Sequence, residues 1–428
     1  FLNPFMRLIS APGACGKQDI PAAIFKGMNG MKNVFSPADI LLPRGDFSKW
    51  AVIACDQYTS QPEYWQRVKE YAAGSPSALN IIFPEVYLSV DNSKKIAEIN
   101  DSMKNYLENG VFQTLENTFV YVKRTVTGGK TRRGIVGLID LDDYSYEKGA
   151  KTLIRATEET VPERIPPRVE IRRDALLEIP HAMLLIDDPD MTVIAPLDEK
   201  TAHEKPVYDF DLMLGAGHIT GKALNAEISV EVQSALNRLL SKSDNNMLFA
   251  VGDGNHSLAA AKECYRLNKT EASRYALVEI VNIHDESLEF EPIYRAVFGE
   301  SPERVINDFI VYAGGEYRGE NAQKFTCVYG DKKREISVRP LSKLCVGTLQ
   351  GFLNAYVKEN AEISVDYIHG EDAVKKLALN ENTVGFIFKG MQKNELFDAV
   401  RQDGSLPRKT FSMGNADDKR FYLEARKL

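Results

Sequence analysis

Six consecutive residues, Gly252-Asp253-Gly254-Asn255-His256-Ser257, combine the ingredients of an anion site with those of proton and metal chemistry. The two glycines allow left-handed backbone angles and a close approach to a ligand with no Cβ in the way. The apolar run Met247–Val251 before them reads as a strand, and the stretch Leu258–Leu267 after them as a helix. A helix that starts near Ser257 offers unpaired N–H groups and the positive end of its dipole, which attract phosphate. Ser257 can cap those donors or hand them to a ligand. Asp253 is the residue type that holds magnesium, and His256 the type that moves a proton. The third glycine of a dinucleotide fingerprint is missing, and so is the Gly-Lys-Ser/Thr of a P-loop. A plain capped turn with an incidental histidine fits the same six residues.

Asp56 and Tyr58 follow the apolar run Ala51–Cys55, and ligands on α/β sheets gather at strand ends, although a polar turn reads the same way. Residues 150–178 carry Arg155, Arg164, Arg168, Arg172 and Arg173 among Glu158, Glu159, Glu163 and Glu170. That mixture suits either an anion-gripping flap or a solvated face, and Pro162, Pro166 and Pro167 are expected to break any helix there. Asp142-Asp143 and Asp187-Asp188 read as strand-end turns or as metal pairs. No zinc, haem or flavin is expected: the other five histidines lie at no metal spacing and the five cysteines form no C-x-x-C pair. G-x-S-x-G is absent, which disfavours an α/β-hydrolase triad.

The elements that would position these residues are legible along the chain. Pro62 opens a helix through Trp65, Val68 and Tyr71, and Lys94–Asn109 spaces Ile96, Ile99, Met103 and Leu107 as a helix does. Phe119–Thr127, Gly128-Gly129 and Arg133–Leu141 read as a β-hairpin. Ala182–Ile186 and Tyr275–Asn282 read as strands, and Ala223–Leu240 as a helix. The expected class is α/β to α+β, with mixed sheets, flanking helices and two lobes. The polar stretch Ser241–Asn246 divides an N-terminal lobe, 31–245, from a C-terminal lobe, 246–428. Residues 1–30 make a poor signal-peptide core and read as a peripheral extension.

At 428 residues and 44% hydrophobic, the chain can bury two ordinary cores, which excludes a disordered chain or a small disulfide scaffold. A net charge of −7 provides no basic stripe for nucleic acid, and no apolar run approaches the ~18 residues of a membrane span. The expected partner is a small anionic molecule, with no nucleic acid and no membrane; no motif sets an oligomeric state. Scattered single cysteines point to a reducing cytoplasm.

Residues 247–265 resemble the strand–Asp-Gly-His-His-Arg–helix segment of the bacterial family named domain of unknown function 1015. The resemblance spans about residues 34–428. Arg132-Arg133-Gly134 with Val136–Leu141 is similar to the family's strand after the hairpin, and Leu185-Ile186-Asp187-Asp188-Pro189 to its Leu-Tyr-Asp-Asp-Pro. Pro292-Ile293-Tyr294-Arg295 is similar to its Pro-Thr-His-Arg, and residues 406–411 to its near-terminal Met-Pro-Pro-Lys-Ser-Thr. The central motif is also similar to that of the ParB/sulfiredoxin superfamily, which includes a free serine kinase. That resemblance implies a nucleotide phosphate, ATP or ADP, at the turn. Here Asn255 stands for the family's first His and Ser257 for its Arg, so another cation must meet the phosphate: Arg295, Arg155 or Lys409. The implied function is a phosphotransferase or phosphatase on a small hydroxylated metabolite, serine or phosphoserine. Gly252, Gly254, Asn255 and Ser257 would hold phosphate, Asp253 magnesium, and His256 the proton, with Asp56, Tyr58 and Arg295 lining the cleft. The alternative is a non-catalytic binding protein for an anionic metabolite or nucleotide.

Overall fold

Alternating side chains build the main sheet. In the strands Val120–Thr125, Thr131–Asp140 and Tyr275–Asn282, Val120, Val122, Val136 and Leu277 face one core. Tyr121, Ile135, Ile139, Val278 and Ile280 face the opposite one, as the period of two in a pleated strand requires. The computed structural model describes residues 33–428 apart from positions 90 and 415, so the extension 1–30 lies outside the described residues.

The sheet has nine strands, in the order Tyr208–Asp211, His218–Ala223, Val120–Thr125, Thr131–Asp140, Tyr275–Asn282, Met183–Ile186, Phe249–Asp253, Ile154–Ala156 and Tyr144–Ser145. It is mixed. Phe249–Asp253 runs parallel to Ile154–Ala156 and antiparallel to Met183–Ile186, and the central Tyr275–Asn282 is parallel to Met183–Ile186. The expected hairpin is present, its turn carried by Gly128 and Gly129 at φ of 81° and 76°. Helices Pro62–Ala72 and Ser93–Glu108 bury Trp65, Val68, Ile96, Ile99 and Met103, residues of the first core. Helix Ala226–Lys242 buries Ile228, Val232 and Leu236 in the second core, on the other face. Its start is capped by Asn225, whose side chain accepts from the Ile228 N–H at 2.9 Å.

A second sheet comes from residues 290–413, with Phe290–Phe298 pairing Ser364–His369, Thr383–Phe388 and Phe411–Met413. Its core includes Phe309, Phe325 and Leu349, and continues into Leu185, Ala250 and Val281 of the nine-stranded sheet. The fold is α/β with mixed sheets. A boundary at 245/246 would part paired strands, because Phe249–Asp253 and Tyr275–Asn282 belong to the first sheet; the sheets change over at 283–289.

Two local expectations are corrected. Ile165–Arg173 is a helix despite Pro166 and Pro167, because they fall in its first turn, where the missing N–H is not needed. The helix after the glycine turn is Asn255–Leu267, starting three residues before Leu258. No helix among the described residues is long and apolar enough to cross a membrane.

The C-terminal segment returns to the first sheet. Phe421–Tyr422 pairs with Val52–Ile53, and Arg426–Lys427 with Leu177–Glu178. Buried ion pairs fix its path, Arg420 with Glu279 and Glu424 and Arg426 with Glu178. Above it, the hairpin arginine Arg124 donates to the carbonyls of Asp417 and Lys419, and Arg132 to that of Asp418 at 2.5 Å.

Candidate functional site

Strand Phe249–Asp253 ends in the turn, and Gly254 caps the following helix with φ of +80° and ψ of 25°. A Cβ at this position would lie 2.8 Å from His181 Cδ2 and 2.9 Å from Ala182 Cα, so glycine is required twice over, for its angle and for its size. The cap is therefore Gly254, and Ser257 sits at the third position of the helix, so of the two roles expected of its hydroxyl the capping one is not taken up. Among the described residues nothing accepts from the N–H groups of Asn255, His256 and Ser257, and all three residues are partly exposed. The Asn255 side-chain oxygen is buried and also lacks a partner. Unfilled donors at a helix start are able to receive an anion, and the orphaned oxygen is able to accept from a donor such as a hydroxyl.

Asp253 does not stand free. Its Oδ1 accepts from the Gly254 N–H at 3.1 Å, and its Oδ2 lies 3.2 Å from Lys419 Nζ. His256 Nε2 accepts from the Val161 N–H at 3.2 Å. Burial, reinforced by the charges of Arg168, Arg164 and Arg408, holds this imidazole down at about 4. The neutral ring accepting at Nε2 carries its proton on Nδ1, so near pH 7 His256 is a hydrogen-bond donor.

Glu158 stands beside Asp253. Ile154–Ala156 is parallel to Phe249–Asp253 with Ala156 opposite Val251, so both carboxylates fall two residues past the paired end. Burial pushes the Glu158 carboxyl up to about 7; Asp253 adds to the rise, while the Lys409 N–H, Arg408 and Lys419 oppose it. A carboxyl group poised near neutral pH beside the aspartate that leads into the helix start is a candidate general base.

Behind the turn, His181 Nε2 is 3.6 Å from Asp56 Oδ2, and His181 Nδ1 is 2.5 Å from the Tyr422 hydroxyl. That hydroxyl donates to Cys55 Sγ at 3.2 Å and accepts from the Cys55 N–H at 3.1 Å. Burial opposes charge on both members of the Asp56–His181 pair. Their attraction outweighs it, holding Asp56 below the usual carboxylate range and His181 well above its ordinary value. They form an ion pair at neutral pH.

The family model described as protein of unknown function (DUF1015) matches residues 36–357. The chain belongs to this family. No curated protein is matched by the sequence. Among solved structures, this DUF1015 chain is similar to a variant of free serine kinase in complex with ADP, at 12% identity and a TM-score of 0.38. That likeness covers 67% of this chain and 90% of the other. A conserved hypothetical protein from Pyrococcus furiosus is similar at 14% identity and a TM-score of 0.35, covering 68% and 94%. SbnI from Staphylococcus aureus is similar at 12% and 0.34, covering 65% and 82%.

In this DUF1015 chain only part of the expected set converges. Gly252, Asp253, Gly254, Asn255, His256 and Ser257 form the turn, and Asp56 enters the ion pair behind it. Arg295 is wholly buried, with donors on Gln350 Oε1 at 2.7 Å, Ile293 O at 2.5 Å and Arg408 O at 3.2 Å, and its plane stacks over Tyr367. Arg155 is buried too, on the carbonyls of Thr152 at 2.9 Å and Asn245 at 2.5 Å. Neither keeps a donor set free to grip an anion. Lys409 lies with Nζ 5.1 Å from the Tyr367 ring centroid, and Tyr58 bonds Asp417 and stacks on Tyr64 at 3.8 Å. The cation at the turn is instead Lys419, brought by the C-terminal segment, and no local pattern announces it. Glu158, expected only as one acid of the charged stretch 150–178, is singled out by its burial and by Asp253.

Magnesium fits poorly as a protein-held ion. Lys419 and the Gly254 N–H already occupy the Asp253 oxygens, and among the described residues no group of three or more His, Cys, Asp or Glu could hold a metal.

Proposed function

We propose that this chain is a phosphotransferase or phosphatase acting on a small hydroxylated metabolite, its phosphate held by the Asn255, His256 and Ser257 amides. The observation that carries this reading is the run of unfilled amides that follows directly on Asp253, the carboxylate that adds to the rise of Glu158 to about 7, with the charges of Lys419, Arg164, Arg168 and Arg408 acting on the groups around it. Phosphoryl transfer asks mainly for positioning and charge stabilisation, both of which such an arrangement can supply. The amides and the His256 Nδ1–H would hold the phosphate oxygens, and Lys419 would balance the charge. Glu158 would take the proton from the attacking hydroxyl as its oxygen bonds to phosphorus and the leaving oxygen departs with the old bond's electrons. ATP or ADP is the proposed donor.

The test is incubation of the full chain with ATP or ADP, magnesium and a panel of hydroxylated metabolites and their phosphates, followed by phosphorus NMR. Turnover is expected, with Glu158→Gln lowering kcat at least 100-fold while inorganic phosphate still raises the melting temperature. Full turnover in that variant would remove Glu158 from the reaction. The engagement of Asp253 by Lys419 and of His256 by the Val161 N–H favours a second reading, a non-catalytic binding protein. Its signature is stabilisation by phosphate or nucleotide without product.

A further inference from the structure

Below the phosphate-binding turn lies a pocket of about 150 Å³. Its walls are mostly apolar, with Ile82, Phe83, Met103, Ile171 and Leu177 among them. It adjoins the turn directly: Ser257, from the helix's first turn, and Ala260, one turn on, both line it. The charged groups in its wall are set against one another. Tyr422, His181 and Cys55 bond one another, Arg168 pairs with Glu85, and Arg172 with Glu178 at 2.6 Å.

We propose that this pocket is the acceptor subsite of the reaction, and that the acceptor is a small alcohol with an aliphatic or aromatic body rather than a zwitterionic amino acid. The proposal rests on the reading of the turn as the phosphate site. A cavity of ~150 Å³ lined by apolar side chains is large enough for one benzene ring. An ammonium or carboxylate placed inside would have to compete with the Arg168–Glu85 and Arg172–Glu178 pairs and would lose much of its hydration against the apolar wall. At the Ser257 end, where one of the unfilled amides belongs to the wall residue itself, an entering hydroxyl finds a polar contact on the side of the turn. The ligand body therefore packs against Phe83, Met103 and Ile171, with its hydroxyl toward the phosphate.

Ligand-observed NMR on the full chain tests this with benzyl alcohol, 3-methylbutan-1-ol and serine as probes. Both alcohols should bind to the unaltered protein and serine should not occupy the pocket, so excess serine should leave the benzyl alcohol signal unchanged. Ala175→Phe, which fills the pocket from its wall, should weaken benzyl alcohol at least tenfold while inorganic phosphate still raises the melting temperature. Ile171→Ala, which widens it, should admit 2-naphthalenemethanol, which the unaltered protein should exclude. Absence of benzyl alcohol binding, undiminished binding in folded Ala175→Phe, or displacement by serine would overturn the proposal. Were Ala175→Phe to misfold, failure of Ile171→Ala to gain the larger alcohol would do the same. Alcohol binding without any phosphate effect would leave the pocket standing and bring down the phosphate reading instead.

Discussion

Gly254 and Glu158 carry most of the chemistry argued at the scale of single residues. In Gly254→Ala a left-handed angle costs roughly 1–2 kcal/mol, and the added methyl must also displace His181 and Ala182. Urea denaturation should therefore show a loss of at least that size, together with weaker phosphate binding; an unchanged midpoint would refute the strained cap. For Glu158 the sign follows from a folded-state value of about 7, above its ordinary 4.5. The stability tied to its protonated form is fully present below 4.5 and lost as pH rises through about 7. Glu158→Gln should match the parent near pH 4 and exceed it by up to about 3 kcal/mol at pH 8. Turnover should rise with pH through about 7 in the parent, since the base acts when ionised, and Glu158→Gln should lack that limb. A pH–rate profile of the same shape in both proteins would exclude the assignment.

Among the elements, the hairpin and the C-terminal segment act together. Arg124 and Arg132, on adjacent strands, hold the carbonyls of 417–419 and so set where Lys419 stands against Asp253. Arg124→Met would leave buried carbonyls without donors, at roughly 1–3 kcal/mol for each that stays dry. Its melting temperature should fall and phosphate should bind more weakly, while benzyl alcohol binding is unchanged, because Arg124 does not line the pocket. Equal loss of both ligands would mean that the variant had merely unfolded. These contacts join positions nearly 300 apart in sequence, which is why Lys419 was not among the cations expected at the turn. Within the charged stretch 150–178, Ile165–Arg173 is helical against expectation for a local reason: proline forbids a helix interior but suits its first turn.

For the molecule as a whole, the core that packs the second sheet reaches into the first through Leu185, Ala250 and Val281, and residues Val34–Leu428 form one compact unit. Such sharing makes independent unfolding of the two sheets costly. Both tryptophans, Trp50 and Trp65, belong to the core on the N-terminal part of the first sheet. Their fluorescence and the far-UV circular dichroism should therefore change together in urea. A fluorescence transition that precedes the other would show that the sheets unfold separately.

Alternation and turn chemistry were enough to read the hairpin, the strands Ala182–Ile186 and Tyr275–Asn282, and the glycine turn with its helix, because those signals lie within a few residues of one another. The α/β class followed from them. The selection among candidate cations did not, since Arg295, Arg155, Lys409 and Lys419 are chemically alike in a sequence and differ only in what surrounds them. Burial consumes the donors of Arg295 and Arg155 on carbonyls and Gln350, while the returning C-terminal segment sets Lys419 against Asp253. The same holds for Glu158, whose perturbed carboxyl arises from desolvation and a neighbour nearly a hundred positions away, quantities that exist only once the chain has packed.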